Sequence, residues 1–148
     1  MKRNELLRIL DANLNRSREG LRVCEEITRL WMGDEKLTGD LRRSRHAVNA
    51  LLKKLPVSMS DLMGSRDVSG DVGQKSSSLE KGRPDALALF VANMERAKEA
   101  LRVLEETSQW IDRGLAARFK KVRFGAYAIE KRALPKLEAL RHHRRSGR

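Results

Sequence analysis

The sequence predicts an all-α protein: a four-helix bundle built from two duplicated helical hairpins joined by a long glycine-rich crossover. Three observations predict it. Apolar residues recur at helical spacing through four long segments, with no strand-like alternation between them. Gly33, Pro56, Pro84 and Gly114 punctuate those segments as stop and start signals. The stretch Asn13-Leu14-Asn15-Arg16-Ser17-Arg18-Glu19-Gly20-Leu21-Arg22-Val23-Cys24-Glu25-Glu26 returns 80 residues later as Asn93-Met94-Glu95-Arg96-Ala97-Lys98-Glu99-Ala100-Leu101-Arg102-Val103-Leu104-Glu105-Glu106. Asn13, Arg16, Glu19, Leu21, Arg22, Val23, Glu25 and Glu26 keep their residue type in the second copy. Packing alone would repeat only generic hydrophobes, so the repeated polar identities need another reason.

The first helix is expected over residues 5–31, where Leu10, Leu14, Leu21, Val23, Cys24, Ile27 and Leu30 share one broad arc. Gly33 supplies its stop and Asp34 caps the next helix, expected over 35–55 with Leu37, Leu41, Val48, Leu51, Leu52 and Leu55 on one side. Pro56 ends it. Residues 56–83 carry glycine, serine and aspartate at turn density, and a long loop of this kind inside a compact domain is either functional or disordered. Pro84 and Asp85 suit the first turn of a third helix over 84–112. A fourth is expected over 115–142, with Pro135 kinking or ending it near Leu134. Leu37, Leu41, Arg45 and Val48 correspond to Leu115, Phe119, Arg123 and Ala126 at a spacing of 78, so the second hairpin echoes the first along its whole length. The expected organisation is one domain over 1–140, with halves at 5–55 and 84–140 and a disordered basic tail at 141–148.

A chain of 148 residues is long enough to bury a real core, and its charged and apolar content suits a globular protein. No apolar run approaches a membrane span, and the start, Met1-Lys2-Arg3-Asn4-Glu5, lacks the apolar segment of a signal peptide. With the single cysteine, Cys24, this points to a cytoplasmic protein without an intramolecular disulfide. The net charge of +12 invites phosphorylated small molecules, RNA or anionic surfaces as partners. Four of those charges, Arg141, Arg144, Arg145 and Arg148, sit in the tail, and six aromatics leave few bases something to stack on, which argues against nucleic acid.

On a helical wheel Asn13 and Arg16 fall inside the apolar arc, and Asn93 and Arg96 do the same. Arg45 and Arg123 lie on the shoulders of their stripes. The expectation is an Asn and two Arg per hairpin aimed into the bundle. A buried guanidinium needs an anion. The nearest are Glu19 and Glu26, with Glu99 and Glu106 in the other half, which gives two readings: internal Arg–Glu networks that fix helix register, or a central cavity completed by a phosphate-bearing ligand. Arg22, Glu25, Arg102 and Glu105 fall on the opposite side and are expected to be solvated. In the crossover, Arg66 and the amide of Gly73 suit a phosphate, while Asp67 and Asp71 suit Mg2+; the plainer reading is a linker whose aspartates and glycines make turns. No nucleotide-binding glycine loop, zinc pattern or catalytic histidine is evident.

Asp11-Ala12-Asn13-Leu14-Asn15-Arg16 with Glu19-Gly20-Leu21-Arg22-Val23-Cys24-Glu25-Glu26, then Leu41-Arg42-Arg43-Ser44-Arg45-His46, then Ser65-Arg66-Asp67-Val68-Ser69-Gly70-Asp71-Val72-Gly73, then Ala92-Asn93 with Leu101-Arg102-Val103-Leu104-Glu105-Glu106 together resemble one family. It is the helical domain found fused ahead of the thiamine-phosphate synthase (pyrophosphorylase) barrel in some bacteria. The resemblance implies thiamine biosynthesis, and an alternative hydroxymethylpyrimidine-phosphate kinase that makes the pyrophosphate thiamine-phosphate synthase consumes. It implies ATP and Mg2+ as cofactors, and a phosphorylated pyrimidine, a nucleotide and a separate thiamine-phosphate synthase as partners, with a homo-oligomer as a further option. Since four helices fill the chain, the expectation is that it is not itself a thiamine-phosphate synthase. In that frame Arg16, Arg96, Arg45 and Arg123 neutralise phosphates, Asn13 and Asn93 orient the acceptor, Asp67 or Asp71 holds Mg2+, Glu19 or Glu99 acts as base, and Arg66 closes over the site. The rivals are a non-catalytic accessory protein that binds a phosphorylated pyrimidine for the synthase, an RNA-binding helical module, and a purely structural dimerisation module.

Overall fold

The computed structural model describes residues 1–73 and 82–146, without the side chains of Arg144 and Arg145. The fold is all-helical, and no strand occurs among the described residues. Its elements are α1 (Arg3–Glu26), a π-helical turn (Ile27–Trp31), α2 (Glu35–Leu52), α3 (Met59–Gly64), α4 (Ala86–Ser108) and α5 (Arg113–Ser146). The four long helices close a ring of contacts: α1 packs on α2 and α4, and α5 packs on the same two. Among the described residues no helix is long and apolar enough to cross a membrane.

Local chemistry sets the element ends. The π-helical turn carries α1 to Gly33, whose φ of +66° needs no Cβ accommodation. Asp34 caps α2 by accepting from the Leu37 amide, and Asp85 caps α4 by accepting from the Ala88 amide, at 2.9 Å in both cases. Both caps serve a second purpose. Lys136 reaches Asp34 at 2.5 Å and Arg141 reaches Asp85 at 2.9 Å, so the end of α5 is pinned to the starts of α2 and α4. The core is filled by Leu10, Leu14, Leu21, Leu37, Leu41, Phe90, Met94, Leu101, Leu104, Phe119 and Leu137, all with at most 1 % of their surface exposed.

Three expectations are corrected. Pro135 does not end the last helix, which continues through it to Ser146. Pro135 lies on the exposed side, where water can serve the carbonyl its missing N–H leaves behind. The tail expected to be disordered is therefore helical up to Ser146, and Arg141 at its start is ion-paired. The crossover is not structureless at its beginning. Ser58 and Asp61 form a capping box that starts α3, and Leu62 buries itself in the core with 1 % exposed. The stretch 74–81 of the expected crossover lies outside the described residues.

Candidate functional site

Helices α1 and α4 come into close contact at Gly20. A Cβ there would lie 2.6 Å from the Asn93 carbonyl oxygen, so only a glycine lets the two backbones meet. Beside that contact the helices leave a cavity of about 640 Å³ that opens to solvent between α1 and α4 and is not enclosed in the bundle as expected: Arg16, Glu19, Arg96 and Glu99 are all exposed, so their charges need no buried partner. Its polar wall is Asn13, Arg16 and Glu19 from α1 and Asn93, Arg96 and Glu99 from α4; its apolar floor includes Gly20, Val23, Ala100 and Val103, and Gly73 of the crossover closes one side. The two copies of the repeat therefore contribute the same three polar residues each.

The asparagines are set alike. Asn13 Nδ2 donates to the Ile9 carbonyl at 2.8 Å, and Asn93 Nδ2 donates to the Leu89 carbonyl at 2.9 Å. Each amide is thereby fixed, and its Oδ1 and the second Nδ2 hydrogen are what it can offer a ligand. Arg16 has no ion-pair partner among the described residues, whereas the glutamates and arginines balance in formal charge. Such a wall suits a ligand that carries both an anionic group and a hydrogen-bonding ring edge.

Arg45 and Arg123, expected at this cavity, are elsewhere. Arg45 Nε donates to Glu25 at 2.9 Å, joined by Arg42 Nε at 3.0 Å, and Arg123 Nε donates to Glu105 at 2.9 Å. Glu25 and Glu105 are not solvated as expected. They are 1 % and 7 % exposed, while Arg22 and Arg102 remain half exposed beside them. The reason is geometric: the flank of α1 that carries Glu25 faces α2, and the shoulder of the α2 stripe brings Arg45 to it. Burial pushes the Glu25 carboxyl up, but the hydrogen bonds from Arg45 and Arg42 outweigh it and hold its pKa below the ordinary glutamate value. The register-fixing reading thus describes Arg45 and Arg123, through glutamates other than Glu19, Glu26, Glu99 and Glu106.

A second cavity of about 330 Å³ lies between α1 and the crossover, lined by Arg8, Asp11, Asn15, Arg66, Asp67, Asp71 and Gly73 among others. Arg66 does not hang over the central cavity. Its Nε and Nη2 clasp Asp11 at 2.5 and 2.8 Å, a bidentate pair that raises the guanidinium pKa further. Asp67 and Asp71 each use Oδ1 to accept a backbone amide, from Gly70 and Gly73 respectively, both at 2.9 Å. The turn-making reading of these aspartates is therefore satisfied, and the Gly73 amide is engaged by Asp71. Among the described residues no group of three or more His, Cys, Asp or Glu is arranged to hold a metal ion. Cys24 is buried, its thiol pKa raised by burial and by Glu130, and it donates to the Phe90 carbonyl at 3.5 Å; it is a core residue.

Asp11, Glu25, Glu105 and Lys98 hold buried ion pairs that the sequence does not announce. Lys98 is 5 % exposed and reaches Glu95 at 2.5 Å and Glu130 at 2.6 Å, with the Tyr127 ring 4.7 Å away. Glu25 and Glu105 could have been found, since both are repeated by identity. Lys98 has no such signal, because its counterpart in the first copy is Arg18, bonded to the neutral Asn49 and Asn15.

The extent of one family match decides the relationship: residues 8–132 match the ThiD2 family, a span that contains every residue of both cavities. The chain belongs to the ThiD2 family. It is similar to proteins named thiamine-phosphate synthase from Synechocystis sp. (41 % identical over 126 residues, 84 % of this chain and 35 % of the relative). The counterparts from Rhodopirellula baltica (39 % over 124 residues, 83 % and 32 %) and Nostoc sp. strain PCC 7120 (37 % over 124 residues, 83 % and 34 %) match in the same way. The chain thus spans about a third of the length of these curated relatives. No solved structure matches it.

Proposed function

We propose that this ThiD2 chain acts in thiamine biosynthesis, phosphorylating hydroxymethylpyrimidine phosphate to its pyrophosphate at the expense of ATP. The observation that carries this is the central cavity, where Asn13, Arg16 and Glu19 meet Asn93, Arg96 and Glu99 over an apolar floor. The floor suits the flat face of a pyrimidine, the amides and carboxylates suit its edge, and the arginines suit its phosphate. In the reaction a phosphate oxygen of the acceptor attacks the γ-phosphorus of ATP, the bond from that phosphorus to the bridging oxygen breaks, and ADP leaves. Phosphoryl transfer depends chiefly on positioning and charge neutralisation. Arg16 and Arg96 hold the acceptor phosphate, Asn13 and Asn93 orient the ring, and Glu19 or Glu99 takes up a proton if the acceptor phosphate still carries one.

Asp67 and Asp71 are the candidate carboxylates for Mg2+, although no group of three or more His, Cys, Asp or Glu among the described residues is arranged to hold a metal ion. The ion is commonly held by one or two carboxylates with the remainder supplied by substrate phosphates and water, and Asp67 and Asp71 each keep Oδ2 beyond the turn they make. The ion would neutralise charge on the transferred group. We also read the fold as a four-helix bundle of two duplicated hairpins; the matching pairs Arg45–Glu25 and Arg123–Glu105 support that.

Incubation with ATP, Mg2+ and hydroxymethylpyrimidine phosphate, followed by quantification of the pyrophosphate ester, tests the assignment. Formation of the ester that is lost in Arg16→Met is the expected result. Saturable binding without ester sinks the kinase and leaves the second reading, an accessory protein that carries the pyrimidine to a thiamine-phosphate synthase. The matched polar wall of the central cavity favours that alternative, because binding, unlike catalysis, has no need to break symmetry.

A further inference from the structure

We propose that a further cavity, where α1 meets α2 and the segment that enters α3, binds a small aromatic carboxylate. Its volume is about 410 Å³, and Arg18, Asn49, Leu52, Lys53, Val57 and Leu62 are among the residues that line it. It shares no residue with the central cavity, so the inference stands apart from the reaction proposed there. Two cations line it, and among the described residues no carboxylate does.

The other half of the chain shows what a cation at this place is built to hold. Arg18 corresponds to Lys98 at the spacing of 80 that relates α1 to α4. Lys98 has three partners: the carboxylates of Glu95 at 2.5 Å and Glu130 at 2.6 Å, and the face of the Tyr127 ring at 4.7 Å. Their counterparts in the first half are Asn15, Leu52 and Asn49. The backbones are equivalent here, because Arg18 still reaches Asn15 and Asn49, donating to the amide oxygen of each. Only the chemistry has changed. Both carboxylates and the ring are gone, and the cavity lies against Leu52 and Asn49, the positions of Glu130 and Tyr127.

Arg18 is left with charge to satisfy. Its bonds go to the neutral oxygens of Leu14, Asn15 and Asn49, and one hydrogen on each Nη remains. A carboxylate completes that guanidinium with charge-assisted bonds, and the exposed Lys53 adds a second positive charge. Leu52, Val57 and Leu62 offer apolar wall to a ring, and the ring face suits the guanidinium as Tyr127 suits Lys98. The ligand thus supplies from outside what α5 supplies from within.

Calorimetric titration of the full chain with phenylpropionate tests the site, with the uncharged phenylpropionamide and the non-aromatic cyclohexylpropionate as controls. Phenylpropionate should bind saturably. The amide should bind about tenfold more weakly for want of a charge-assisted bond, and cyclohexylpropionate about threefold more weakly for want of a ring face. Arg18→Met should weaken phenylpropionate about tenfold, whereas Arg16→Met, in the central cavity, should leave it within about twofold. Asn49→Tyr combined with Leu52→Glu installs the arrangement of the second half, and should abolish binding in a chain that still melts cooperatively. Should that double variant fail to fold, the amide and Arg18→Met decide the matter. Absence of saturable phenylpropionate binding overturns the proposal. So does equal affinity for either control, undiminished binding by the folded double variant, or a loss in Arg16→Met as large as that in Arg18→Met.

Discussion

The two halves of the chain carry the same glutamate in the same turn, yet they secure it differently. In the first half, Glu25 receives two guanidinium groups from α2, those of Arg42 and Arg45. In the second, Glu105 receives one from α5, that of Arg123, because Lys120 stands at the position corresponding to Arg42 and makes no such bond among the described residues. Arg123 is also the more buried arginine, with 11 % of its side chain exposed against 20 % for Arg45. Two guanidinium groups from the neighbouring helix in one half, against one from the neighbouring helix and one from Arg102 of the same helix at 3.2 Å in the other, teach that a repeated residue inherits its helix face from the sequence and its energetics from its neighbours.

Substituting each arginine is the most direct way to break that comparison. Arg123→Met leaves the buried Glu105 carboxylate with only the half-exposed Arg102 of its own helix, at 3.2 Å, and should cost about 2–3 kcal/mol in denaturant melts. Arg45→Met leaves Arg42 in place, and should cost only about 1–2 kcal/mol. Equal losses would show that redundancy does not protect Glu25.

The helix crossing provides the next contrast. Gly20→Ala drives a Cβ against the Asn93 carbonyl, which cannot move without its helix, and should cost about 1–3 kcal/mol. Ala100→Gly, at the equivalent position of α4, should cost about 1 kcal/mol from helix propensity alone. Should the two be equal in thermal melts, the close approach is symmetric after all.

Acid sharpens the picture further. Since the Glu25 pKa is depressed in the folded state, its stabilisation is fully present above the ordinary glutamate value of 4.5 and is lost as pH falls through the folded value below it. Glu25→Gln should remove that part of the acid dependence of stability, leaving a flatter acid limb. A limb identical to that of the parent chain would assign the dependence to other carboxylates.

The smallest expected effect on stability is the one that matters for function. Arg16→Met should leave the melting temperature within about 1–2 °C, since an exposed arginine without an ion-pair partner stabilises little. It should nevertheless weaken hydroxymethylpyrimidine phosphate binding by about tenfold. A large loss of stability would return Arg16 to the register-fixing class that Arg45 and Arg123 occupy.

Much of the fold was legible because helices are local. The apolar period, the Asp34 and Asp85 caps and the Gly33 stop are all written within a few residues of where they act. Pro135 illustrates the limit of local signals: a proline is a strong stop only when its neighbourhood cannot tolerate the missing bond, and exposure is a tertiary property. The candidate site was legible in part. The wheel put Asn13, Arg16, Asn93 and Arg96 toward one side, and the structure brings them to one cavity with Glu19 and Glu99. It could not say which helix each side faces. A wheel alone therefore cannot pair Arg45 and Arg123 with Glu25 and Glu105, which lie on flanks that only packing brings together.

Asp11 and Arg66 show the same limit. They are 55 residues apart in the chain and meet in a bidentate pair that no local pattern announces. Local sequence is enough to make the chain helical, to place the helix starts and to use one set of polar residues twice. Which polar residues satisfy one another, and which face an open cavity, was decided only when α1 met α2 on one flank and α4 on the other. A helical period specifies direction around an axis, and the partner that waits in that direction is a matter of packing.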